Sequence, residues 1–178
     1  IKVLGPNDTR REERLREIED SLPKILRDGV EDRYVADLIE AALLARELER
    51  PKQEVEGRFS VALEAAKKYG FSQQVYECVY QKAWTDFYWY DDPDSSLEGY
   101  LCLKSMLQED VNVVRIEKLY NLYRLLVTSS GQGMMTKDFN HQGEQRYMET
   151  LCSRLEDNPA KPSCALFLKI CLLEDKLI

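Results

Sequence analysis

Asp91, Asp92 and Asp94, set around Pro93, are the carboxylates whose spacing comes nearest to a metal site. A helix that grips magnesium needs carboxylates at i, i+1 and i+4 so that one face carries them all, and position 95 is Ser95. A calcium loop opened by Asp92 places the oxygens of Asp94 and Ser96 correctly. Leu97, however, stands where a glycine must turn the chain, and Leu103 where a bidentate glutamate must close the shell. Asp and Ser are the ordinary residues of turns and helix caps, so the run reads as an acidic helix boundary. No metal ligand is assigned to it.

His141 is the single histidine, and it falls in a stretch without periodicity, where it reads as a solvated loop residue. General-base work would need a nucleophile and an orienting carboxylate beside it, and the sequence places neither. The nearby Ser130, Gly131, Gln132 and Gly133 lack the order of glycines, lysine and hydroxyl that cradles a phosphate. Cys78, Cys102, Cys152, Cys164 and Cys171 include no C-x-x-C pair, so they read as reduced, mostly buried thiols. No catalytic residue and no cofactor is assigned.

Two features stand out from the rest of the helical pattern. The run Ala83 to Tyr90 holds both tryptophans and is the densest aromatic cluster in the chain. On a helical wheel Val75, Tyr76, Val79, Tyr80, Ala83, Trp84, Phe87 and Tyr90 share a half-circle and are expected in the core, whereas Tyr88 and Trp89 fall outside it. Aromatic side chains left off a buried stripe, beside the acidic Asp91 and Asp92, have the composition of an interface centre with a charged rim. Tyr88, Trp89, Asp91 and Asp92 are therefore the predicted partner-binding residues. The second feature is Cys164 to Leu173, where Lys169 is the only polar residue, a helix apolar all round and expected to be buried.

Positioning these residues is the work of helices. Only 8 Gly and 6 Pro occur in 178 residues, and they punctuate segments of helical period. Thr9 and Glu12, and again Ser95 and Glu98, have the spacing of capping boxes and predict helix starts. The first helix is expected to stop near Leu22, with Pro23 and Gly29 bracketing a separate short turn. A second runs over about Glu31 to Glu49 and a third ends at Tyr69, where Gly70 and Phe71 have the order of a C-terminal closure. A fourth covers Gln73 to Tyr90 after a Ser72 cap, a fifth ends near Gln108, and a sixth extends to Thr128 with a broad apolar stripe that marks it as central. Ser129 to Gln142 reads as a long, poorly anchored loop, followed by a seventh helix near Glu144 to Glu156 and an eighth beyond Pro162.

The expected fold is all-α, a single-domain bundle of about eight helices over residues 1–178, with a short helical-hairpin solenoid as the alternative. The start at Ile1 suggests a piece of a longer protein. A net charge of −7, with Lys and Arg interleaved among acids, argues against nucleic-acid and anionic-membrane surfaces. No stretch has the length and apolarity of a membrane span, and the scattered thiols suit the cytoplasm or nucleus. The expected function is a protein-interaction or regulatory domain whose partner is another protein. The alternatives are a small helical hydrolase or metal-dependent enzyme whose carboxylates converge only in space, and an autoinhibitory or oligomerising module.

Overall fold

The computed structural model describes residues 5–107, 112–156 and 169. Its order is α1 (Pro6–Arg27), α2 (Glu31–Glu47), α3 (Lys52–Tyr69), α4 (Ser72–Tyr90), α5 (Pro93–Ser105), α6 (Val113–Gly131) and α7 (His141–Glu156). The protein is all-helical, and no strand occurs among the described residues. Apart from Lys169, the residues of the expected eighth helix lie outside them. The chain divides into two compact units, Ile1–Asp91 and Asp92–Ile178.

In the first unit α1 packs on α2, α2 on α3, and α4 on both α3 and α2. The narrow stripe of α1 delivers Leu15 and Ile18 to Ala41 of α2 and to Leu48 at its C-cap, and Val35, Leu38, Ile39 and Ala42 form a second cluster with Val55, Phe59 and Ala62 of α3. Small residues on α2 let the helices approach closely, and burial of each large side chain contributes roughly 1.5 to 3 kcal/mol. The charged flanks of α1 are tied down by Arg14 to Glu40 at 2.8 and 3.0 Å and by Arg11 to Glu47 at 2.7 Å. These pairs are largely exposed and add little stability individually.

Several boundaries differ from the sequence expectation, each for a local reason. α1 begins at Pro6, not at a Thr9 cap, because the Asp8 carboxylate accepts the Gly5 amide at 3.3 Å. Thr9 instead donates back to the Gly5 carbonyl inside the helix. Pro23 does not end α1, which continues to Arg27 before Gly29 turns the chain at φ +71. The closure of α3 is as expected: Gly70 is left-handed at φ 78, and the Phe71 amide reaches the Ala66 carbonyl at 3.1 Å. Ser72 lies within α4, with Phe71 at the cap position.

In the second unit α6 packs against both α5 and α7, the central place its stripe predicted. Ile116, Leu119, Tyr120, Leu122, Tyr123 and Leu126 are all buried. α6 continues to Gly131 and α7 starts at His141, so the expected loop shortens to residues 132–140. It is also anchored. Phe139 is buried with its ring 6.3 Å from those of Tyr100 and Tyr123. The Asp94 carboxylate accepts the amides of Thr136 at 3.1 Å and Lys137 at 3.0 Å as well as the Thr136 hydroxyl. Asn140 then caps α7 by accepting the Gly143 amide at 3.1 Å. That side chain lies so close over Gly143 that a Cβ there would come within 2.5 Å of it.

Candidate functional site

The last two turns of α4 present the aromatic cluster. Residues four apart on a helix are surface neighbours. Tyr80, Trp84 and Tyr88 accordingly form a ladder of rings, with centroids 5.8 Å and then 4.7 Å apart. The ladder climbs out of the protein: Tyr80 is buried, Trp84 half-buried and Tyr88 50% exposed. Phe87 meets the Tyr88 ring edge-on at 5.1 Å. Trp89, 42% exposed, joins Trp84 and Tyr88 in lining a shallow depression of about 300 Å³.

The wheel matches the structure only in part, and Val75, expected in the core, is half-buried. Tyr76, Val79, Tyr80 and Ala83 are buried, while Trp84, Phe87 and Tyr90, expected in the core, are only half-buried. Thr85 and Asp86, outside the apolar stripe, are buried instead. Lys82 neutralises Asp86 at 2.7 Å, and Thr85 donates to the Gln81 carbonyl at 2.7 Å. α4 contacts two helices, so its buried sector is wider than a single stripe.

Arg46 of α2 is the residue that sequence reasoning missed. Its guanidinium lies 4.2 Å from the Trp89 ring centroid and donates to Thr85 Oγ1 at 3.2 Å, while among the described residues its Nε has no hydrogen-bond partner. The Glu47 carboxylate stands 3.9 Å away and is itself bound by Arg11. At 9% exposure the cation is largely stripped of water, and burial pulls its pKa below the usual arginine value. A signal was present: Val35, Ile39, Ala42 and Arg46 follow one another at helical spacing, which puts a charge on an apolar face. At the same end of α4, Lys52 of α3 sits over the Tyr90 ring at 5.1 Å.

The acidic run is divided among structural tasks. Asp91 ends α4 in the left-handed region at φ 48, a conformation Asp tolerates better than most residues, and its side chain is exposed. Asp92 is the N-cap of α5, accepting the Ser95 amide and hydroxyl, each at 2.9 Å, with Pro93 at the first helical position. Ser95 is thus a partner of the cap and not the cap itself. Of the four predicted partner-binding residues, Tyr88, Trp89 and Asp91 belong to the first unit and Asp92 to the second.

Elsewhere, His141 stands in the first turn of α7, not in a loop, with its ring stacked 6.4 Å from that of Tyr123. It lines a cavity of about 580 Å³ together with Arg124, Val127, Thr128, Ser130, Gly131 and Gln132. No carboxylate occurs among these described lining residues. Glu144 is engaged from several sides, accepting from Tyr100 Oη at 2.7 Å and from Lys104 Nζ at 2.6 Å. Burial, followed by this carboxylate, raises the Tyr100 pKa well above its ordinary value, so the phenol is a fixed donor. Cys78 donates to the Phe59 carbonyl at 3.3 Å, and burial pushes its thiol up to about 12, the behaviour of a packed thiol and not of a nucleophile. Among the described residues no group of three or more His, Cys, Asp or Glu could hold a metal, and no helix is long and apolar enough to cross a membrane. No known protein family, curated protein or solved structure matches this chain.

Proposed function

We propose that this chain is a protein-interaction or regulatory domain acting in the cytoplasm or nucleus, and that the end of α4 is part of the surface it presents to a partner protein. The observation that carries the reading is the exposure of Tyr88 and Trp89 beside half-buried Trp84, three aromatic side chains around one depression. Leaving large rings in water forgoes burial free energy, and rigid aromatic anchors on an otherwise charged surface are the usual centre of a protein interface. Asp91 contributes an exposed charge next to the rings, whereas Asp92 contributes mainly by holding the first turn of α5.

The test is affinity capture from the native cell type with the wild-type chain and with Trp89→Ala and Tyr88→Ala. Truncating an anchor of this kind commonly removes about 2 kcal/mol or more of binding, more than tenfold in affinity. Both variants should keep the wild-type melting temperature to within a few degrees while losing the captured partner. Identical capture by all three proteins would show that the partner binds elsewhere.

A further inference from the structure

We propose that the depression formed by Trp84, Tyr88 and Trp89 receives a cationic side chain, the Lys or Arg of a basic segment on a partner protein. The inference rests on the interaction reading above and names the chemistry of what binds. Aromatic faces attract a cation through the negative potential of the ring, and clustered rings are the means by which proteins hold ammonium and guanidinium groups. The cluster already does this once within the fold, since the Arg46 guanidinium lies over the Trp89 ring at 4.2 Å.

Charge favours the same occupant. Each cation around this end of α4 has an acidic partner: Arg46 has Glu47 at 3.9 Å, Lys82 has Asp86 at 2.7 Å, and Lys52 has Glu56 at 3.8 Å. Asp91, directly after Tyr90, is exposed, and among the described residues none pairs with its carboxylate. The local surplus is therefore negative, as is the whole chain at −7. Such a field speeds the approach of a basic segment and slows that of an acidic one. A purely apolar anchor would gain from the rings but nothing from Asp91.

The two tryptophans of the chain both line the depression, so their indole N–H resonances report on it directly. The experiment is an NMR titration of the full chain with short Gly/Ser peptides carrying a central Arg-Leu-Arg, Ser-Leu-Ser or Glu-Leu-Glu. The Arg peptide should shift both indoles saturably, with affinity falling on added salt, and the other two should shift them weakly or not at all. Tyr88→Leu keeps apolar area but removes a π face, and Asp91→Asn keeps a residue that accepts the left-handed backbone; each should weaken the Arg peptide about two- to fivefold. Equal shifts from all three peptides would overturn the cationic assignment while leaving an interaction surface in place. Shifts produced by protein concentration alone would mean that a second copy is the occupant. Silence of both indoles to every peptide would also overturn the proposal, with capture by Trp89→Ala then deciding the interaction reading separately.

Discussion

The aromatic run and the acidic run are adjacent in the chain, and both stand out by composition, yet the fold treats them differently. The carboxylates of Asp92 and Asp94 find backbone amides to accept, at the start of α5 and in residues 132–140. Their charge is spent on holding structure. The rings of Tyr88 and Trp89 are left half in water, although burying a large ring is among the most favourable things a fold can do with it. A carboxylate near a helix start has an obvious local task, whereas an exposed ring at a helix end has none. The difference teaches that the more chemical-looking of two neighbouring motifs can be the more structural one.

The sharpest way to test the contrast is to move along α4. Tyr76 is 0% exposed on the stripe about three turns before Tyr88, so Tyr76→Ala should cost about 3 to 5 kcal/mol, read as a large fall in melting temperature. Asp92→Ala removes the N-cap acceptor of α5 and should cost about 1 kcal/mol, with Asp92→Asn recovering most of it, both measurable by denaturant titration. Trp89→Ala should cost less than about 1 kcal/mol, because it removes a partly exposed cation–π contact and lets water reach Arg46. A loss as large as that of Tyr76→Ala would place Trp89 in the core and collapse the distinction between the two ends of the helix.

The smallest effect concerns pH. The Thr136 hydroxyl, then the Lys137 and Thr136 amides, hold the Asp94 carboxyl below its ordinary value of 3.8. A depressed folded-state pKa stabilises at pH above the unfolded value and is lost as pH falls through the folded one. The protection that this tie gives the Thr136 and Lys137 amides should therefore be fully present near neutrality and be lost only in acid, below the usual carboxylate range. Asp94→Asn should remove that pH dependence. If protection falls while Asp94 is still ionised, another contact, such as Phe139, governs the segment.

Much of the helix plan was legible in residues. Gly70 and Phe71 marked the end of α3, the stripe of α6 identified its central place, and the Asp91 to Ser95 run marked the break between α4 and α5. The misreadings share a cause. Pro23 passes within α1 because the helix around it is held by Leu15, Ile18 and Ile25 on its buried side, a tertiary gain that outweighs a local penalty. The segment before α7 was expected to be unanchored because the acceptor that ties it, Asp94, lies 42 residues away in the chain at Thr136. The expected burial of Leu166, Phe167 and their neighbours lies outside the described residues.

By itself the sequence determined an all-helical chain, most of the element order, and the wheel that leaves Tyr88 and Trp89 off the buried stripe, since these follow from short-range periodicity and turn chemistry. Only the tertiary structure decided that Trp84 joins those two rings around one depression, that Arg46 lies against Trp89, and that Asp92 and Asp94 spend their oxygens on caps and ties. Periodicity assigns a side chain to one face of its own helix. Which donor, ring or acceptor meets it there depends on helices that are distant in sequence, and no local pattern encodes their approach.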